Sequence, residues 1–231
     1  MALEYGFYNM DCLEGMKLIP DKSIDLAICD PPYGIGYDAQ AEKNGGNQSK
    51  NGKAPKRKYH TANWDSQAPS DEYFEELFRV SKAQIIWGGN YFHQLPPSKG
   101  FVVWDKRFNN IVRSFADCEY AWLSPNLGVA RMFRYVWDGM IQENMKNKEY
   151  RIHPTQKPVA LYEWLLNRYA KEGDVILDTH VGSGSSLIAC SNTRHKYIGF
   201  EIDKTYFDLA SQRIKDETAQ MSIYDYLEGL N

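Results

Sequence analysis

Residues 174–203 read DVILDTHVGSGSSLIACSNTRHKYIGFEID. The apolar run Val175–Leu177 closes on Asp178, and the turn that follows holds Gly182 and Gly184. From the serines an apolar segment of helical character begins, and a second apolar run ends on Glu201. The pattern is strand, turn, helix, strand, and a further helix follows in KTYFDLASQRIKDE. Strands that alternate with helices imply a parallel sheet wound on both faces. Two glycines one residue apart are a weak sign of a nucleotide site, because a plain strand-to-helix turn uses them too. Glu201, roughly 20 residues beyond the turn, strengthens it, since an acid there can hold both hydroxyls of a ribose. The loop lacks the Lys-Ser/Thr of a phosphate cradle. A cofactor with a ribose and no phosphates fits, and S-adenosylmethionine is the common one.

Upstream, HPTQKPVALYEWLLNRYAKEGD predicts a helix with Pro158 in its first turn and Gly173 as its stop. Its stripe of Val159, Tyr162, Leu165, Leu166 and Tyr169 belongs to the core. Nearer the N-terminus, Ile24–Cys29 is an apolar run interrupted by Asp25 alone, as in a strand buried on both faces. It ends in Asp30-Pro31-Pro32-Tyr33. A turn capping a strand explains the prolines, but not an acid at the carboxyl end of a buried strand, where open α/β sheets bind ligands. Asp30 can accept a hydrogen bond from an amino group. The Pro31 carbonyl can accept a second, its direction set by the locked φ of proline. Tyr33 offers a face for a base to stack on. The amino group of a base is a poor nucleophile because its lone pair is delocalised; two acceptors pulling on its hydrogens favour a pyramidal nitrogen that can attack a methyl sulfonium. No metal is needed.

Other segments set the frame. Residues 4–9 read as a short strand and residues 13–19 as a short helix. SDEYFEELFRVSK reads as a helix capped by Ser70. AQIIWGGNYF and GFVVWDK are strands, and DCEYAWLS is a further, antiparallel one at an edge. Residues 125–152 have no clean period. With 231 residues and 43% hydrophobic content, the chain is read as one domain over 1–231. No signal peptide or membrane span is evident, and the scattered Cys12, Cys29, Cys118 and Cys190 suit reduced thiols in a cytoplasmic protein. No histidine stands at zinc spacing, so no metal is expected. Net charge is −3, yet residues 38–60 carry six Lys/Arg against two acids. That makes 38–64 a basic, flexible loop.

DPPY, then HPTQKP, then DTHVGSGSS and GFEID, resemble the amino-group DNA methyltransferases of the permuted β class, in the N-4/N-6 DNA methylase family. The resemblance covers nearly the whole chain and is weakest at residues 38–64 and 105–150. It implies a doubly wound, mostly parallel α/β sheet of seven strands, Rossmann-like, with one antiparallel strand and a circularly permuted motif order. It also implies roles. Asp30, Pro31, Pro32 and Tyr33 match the catalytic tetrad. Asp178, Gly182, Ser183, Gly184 and Ser185 match the cofactor loop, and Glu201 the ribose acid. Asp11 and Cys12 match the loop against the adenine, while His153, Thr155 and Lys157 lie in the segment that meets the methionine end. The family has Asp-Pro-Phe before its glycines, and here the run is Asp178-Thr179-His180. The phenylalanine packs beside the cofactor, so His180 bears on affinity and its pH dependence, unless the imidazole packs equally well, the simpler expectation.

The aspartate in the tetrad implies methylation of adenine N6 in double-stranded DNA. Rivals are cytosine-N4 transfer, RNA adenine transfer, and an inactive nucleic-acid-binding fold. Protein amide enzymes fit poorly, and cytosine-C5 chemistry lacks its nucleophilic cysteine. The basic loop, with Lys53, Lys56, Arg57 and Lys58, is expected to close over DNA beside the flipped base. Target reading is expected in residues 105–152, through Lys106, Arg107, Asn109, Asn110, Arg113, Arg131, Arg134, Gln142 and Asn144. Against this, Trp122, Phe133, Tyr135 and Trp137 suit ordinary packing. So short a region implies a short or relaxed target, with a second subunit as one means of completing the grip. A cognate restriction endonuclease is a candidate partner.

Overall fold

The computed structural model describes residues 3–36, 60, 65–107, 116–138 and 141–228. The basic loop, apart from His60, lies outside the described residues, and so do Asn109, Asn110 and Arg113. The strands are β1 (Gly6–Asn9), β2 (Ile24–Cys29), β3 (Ser81–Trp87), β4 (Phe101–Asp105), β5 (Cys118–Leu123), β6 (Arg131–Arg134), β7 (Trp137–Asp138), β8 (Ile141–Gln142), β9 (Val175–Asp178) and β10 (Lys196–Glu201). The helices are α1 (Cys12–Lys17), α2 (Asp71–Val80), α3 (Val159–Tyr169), α4 (Ser185–Asn192) and α5 (Lys204–Glu228). None of them is long and apolar enough to cross a membrane, among the described residues.

Eight strands form the main sheet, in the order β1-β10-β9-β2-β3-β5-β4-β6. Only β5 runs against its neighbours. It lies between β3 and β4, inside the sheet and not at the edge expected for it. The sheet also exceeds the seven strands expected, because β6 pairs in parallel with β4 at the rim. Strand β6 reads Arg-Met-Phe-Arg and is exposed at three of its four positions, so it carries no apolar alternation to find.

Side chains of a strand point alternately to its two faces, and β2 shows why the sheet is covered twice. Leu26 and Ile28 enter the core that also holds Leu161, Leu165, Ala189 and Cys190 of α3 and α4. Ala27 and Cys29 enter the opposite core, with Met16 of α1 and Tyr73, Phe74 and Leu77 of α2. Strand β2 is apolar at successive positions because both of its faces are buried. Ser70 caps α2 as expected, its hydroxyl accepting from Tyr73 N–H at 3.3 Å. Helix α3 stops at Tyr169, a few residues before Gly173.

Candidate active site

Strand β2 pairs with β9, Leu26 opposite Ile176 and Ala27 opposite Leu177. Strand β9 pairs in turn with β10. All three are parallel, so Asp30, Asp178 and Glu201 emerge at one carboxyl edge of the sheet. Motifs from opposite ends of the chain thereby become neighbours.

The tetrad is held from several sides. Tyr33 O–H donates to Asp30 Oδ1 at 2.7 Å. The backbone N–H groups of Tyr33 and Gly34 both donate to Asp65 Oδ1, at 2.7 and 2.9 Å. Asp65 is 1% exposed and clamps the turn from a segment that sequence reading passed over. Gly88 lies against the Tyr33 ring so closely that a Cβ there would stand 2.2 Å from it. Tyr91 stacks on the same ring, centroids 5.0 Å apart and planes at 13°. The face that a base would use is therefore partly taken by a half-exposed tyrosine. Burial, then the charge of Asp30, pushes the Tyr33 phenol well above its ordinary value, so the group stays a donor.

Lys157 stands beside Asp30, between strands β2 and β5. Its ammonium, 4% exposed, is paired with Asp30 Oδ2 and lies 3.0 Å from Glu119 Oε2. Glu119 comes from β5 and takes a second ammonium, Lys106, at 2.9 Å. The indole of Trp87 lies 5.3 Å from the Lys157 nitrogen. Four charges alternate in sign, and Asp30 is at one end.

Around the glycine turn, Asp178 accepts from His180 N–H at 2.9 Å and from the Ser186 hydroxyl. Burial pushes its carboxyl up to about 7. Glu201 accepts from Gly182 N–H and Asp203 N–H, both at 2.9 Å, which aims the carboxylate. Burial raises this carboxyl as well. Gly182 and Gly184 have φ of +56° and +80°, where a side chain would be strained. Beside Gly184 a Cβ would also press on Ile214 of α5, at 3.1 Å. The serines of the turn face inward: Ser183 and Ser185 hydroxyls lie 3.1 Å apart, and Arg213 donates to Ser183 C=O and Ser185 Oγ at 2.9 Å. Arg213, in the QRIK stretch of α5, braces this loop.

The remaining expected cofactor residues lie around the same turn. His153 is buried, its ring 4.3 Å from that of Tyr206 and next to Gly182. Thr155 Oγ1 lies 3.0 Å from His153 Nδ1. Asp11 caps α1, accepting from Leu13 and Glu14 N–H at 2.9 and 3.1 Å. Cys12 Sγ lies 3.9 Å from His180 Nε2, and burial raises its thiol far above the ordinary value.

His180 packs as a ring, 5.6 Å from Tyr73, and is also wired. Its Nδ1 lies 2.9 Å from Thr179 Oγ1, which meets Tyr73 O–H at 2.7 Å. Burial depresses the imidazole to about 4. The folded state keeps it neutral while the unfolded chain takes up a proton below about 6.5, so its contribution to stability falls as pH drops from 6.5 toward 4. His180→Phe keeps the ring and removes that titration. The stability gap between wild type and this variant, by urea unfolding, is expected to shift in the variant's favour between pH 7 and pH 5. A gap independent of pH would contradict the assignment.

Several side chains expected to read DNA make hydrogen bonds or ion pairs within the protein. Gln142 is bonded to the backbone of Glu149 at 3.0 and 2.8 Å, Asn144 accepts from Lys146 and Asn147 N–H, and Arg107 is paired with Asp117. Phe133, Tyr135 and Trp137 do pack: Phe133 lies 5.2 Å from Trp164, and Trp137 is buried. Arg131 and Arg134 on β6 are exposed, and the Arg134 guanidinium lies 3.4 Å from the Asp105 carboxylate.

Residues 103–212 match a family model described as DNA methylase. The match takes in HPTQKP and the glycine turn but begins after the tetrad. The type II methyltransferase M.HpaI of Haemophilus parainfluenzae is 28% identical, over 90% of this chain and 73% of its own length. Two solved structures share the fold. A complex described as M1.HpyAVI–SAM has a TM-score of 0.55 at 23% identity, covering 90% of this chain and 98% of its own. The PvuII DNA methyltransferase, described as cytosine-N4-specific, has a TM-score of 0.55 at 13% identity, covering 95% and 93%.

Proposed function

We propose that this chain, whose residues 103–212 carry the DNA methylase family match, is a DNA methyltransferase that uses S-adenosylmethionine and acts on adenine N6 in double-stranded DNA. The observation that carries this is Asp30, an ionisable acceptor at the end of β2, set beside the glycine turn by the pairing of β2 with β9. The turn suits this cofactor. Asp178 and Glu201 are both raised by burial first, and each is raised further by a neighbouring acid, so the turn gathers negative charge. A ligand bearing an ammonium and a sulfonium suits such a turn, whereas phosphates would add to its negative charge.

Bound there, the cofactor supplies an electrophilic methyl group. Asp30 and the Pro31 carbonyl accept hydrogen bonds from the adenine amino group and localise its lone pair for attack. Glu201 holds the ribose, and the Gly182 and Gly184 turn lets the backbone approach. Tyr33 carries the flipped base once Tyr91 yields the face it now covers. The new N–C bond would replace the methyl–sulfur bond, whose electron pair would stay on sulfur, and Asp30 stands where it would take the proton released from the nitrogen and pass it to solvent.

The decisive experiment incubates the protein with labelled S-adenosylmethionine and unmodified bacterial DNA, then digests to nucleosides. N6-methyladenine is expected. Product that is only N4-methylcytosine, or label confined to RNA, overturns the assignment. Glu201→Ala should weaken cofactor binding roughly 10- to 100-fold by calorimetry, the loss typical of hydrogen bonds to a charged group. Arg131→Ala with Arg134→Ala should relax or abolish site preference while cofactor affinity stays unchanged. An unaltered methylation motif with full activity places base reading elsewhere.

A further inference from the structure

We infer that Glu119 is a positioning residue for the reaction: it shares the buried Lys157 ammonium with Asp30, and so leaves one oxygen of Asp30 open to the substrate amino group. This rests on the proposed methyl transfer at Asp30. An ammonium that is 4% exposed cannot stand without anionic partners. Were Asp30 its one carboxylate partner, the pair would close on itself and both Asp30 oxygens would be drawn to the charge. Glu119 prevents that. It approaches Lys157 from β5 at 3.0 Å while Lys157 touches Asp30 through Oδ2. Among the described residues Oδ1 then keeps one neutral hydrogen-bond partner, the Tyr33 hydroxyl, which an incoming amino group can replace. Lys106 balances the second negative charge at 2.9 Å, so the four-membered chain is neutral overall.

The groups facing Lys157 are Asp30 from β2, Glu119 from β5 and His153 from its own loop, with Tyr33 and Tyr162 close to the two acids. Burial lowers the tendency of Lys157 to hold its proton, and the two carboxylates outweigh it, leaving the group above its ordinary value. Burial likewise pushes the Glu119 carboxyl up, and Lys157 with Lys106 takes it down to about 2. Without the Glu119 charge, burial acts on Lys157 against one acid alone, and the ammonium gives up its proton at lower pH.

Glu119→Gln keeps size and hydrogen bonding and removes only charge. It should lower kcat at least tenfold, leave KM for S-adenosylmethionine within twofold, and move the alkaline fall of the rate to lower pH than in the wild type. Glu119→Asp restores the charge and should recover much of kcat and of the wild-type alkaline profile. Wild-type kcat and pH profile in Glu119→Gln would overturn the inference. So would equal impairment of both variants in step with a lowered melting temperature, the mark of a structural role. Carbon-13 NMR of the Lys157 side chain follows the same titration without turnover and should show a lower pKa in Glu119→Gln than in wild type. An unshifted Lys157 titration also overturns the inference. If the wild type transfers no methyl group, the proposed activity fails, and this titration still decides whether Glu119 governs the charge on Lys157.

Discussion

Asp30→Asn is expected to leave a folded protein that binds S-adenosylmethionine normally and methylates DNA at least ~10²–10³-fold more slowly, the scale seen when one preorganised partner of a transition-state charge is removed. Asparagine preserves the outline of the side chain but offers one neutral acceptor, and its amide hydrogens face the amino group they would have to attract. The fold survives because the Lys157 ammonium keeps Glu119 at 3.0 Å. Single-turnover measurements with enzyme in excess isolate the chemical step, and calorimetry checks the cofactor. Turnover within tenfold of wild type would remove Asp30 from the chemistry.

Gly88→Ala is expected to cost about 10²-fold in turnover without touching a catalytic group. Gly88 has φ of +67°, and a Cβ there would lie 2.2 Å from the Tyr33 ring. The ring must move, which withdraws its face from the base. Misplacement of about 1 Å at a reacting centre is enough for a loss of this size. Gly173→Ala is the control: its φ of +87° carries similar backbone strain, with nothing within 4 Å of the new carbon. Both variants should melt lower, and only Gly88→Ala should lose activity while binding cofactor normally. Equal activity in the two would show that contact with Tyr33 does not matter.

What the sequence disclosed was local in character. The run before Asp30 and the runs before Asp178 and Glu201 are strands ending in acids, and each can be read without knowing its neighbour. The contacts that finish the site are long-range. Lys157 carries nothing in HPTQKP that names Glu119 or Asp30 as its partners. Asp65 follows a basic loop and looks like another surface acid, although it is 1% exposed and holds the amides of Tyr33 and Gly34. The double glycine at Gly88 and Gly89 is visible as a break in a strand, but the tyrosine it accommodates is not. Strand β6 escaped because an exposed rim strand obeys no apolar period, and its register comes from β4, through pairs such as Val103 with Met132.

The pairing of β2 with β9 also sets a timetable for synthesis. At roughly 5–20 residues per second, the ribosome makes Cys29 on the order of 10–30 s before Asp178. For that interval one edge of the most apolar strand in the protein has β3 to pair with but lacks β9. An open apolar edge is a template for pairing with other chains, so the nascent protein is most exposed to aggregation just before its last third emerges. The same delay divides the proposed site along the chain: a product truncated ahead of Val175 has the Asp30–Tyr33 turn and lacks the glycine turn opposite it, so under the proposed function such a fragment should transfer no methyl group.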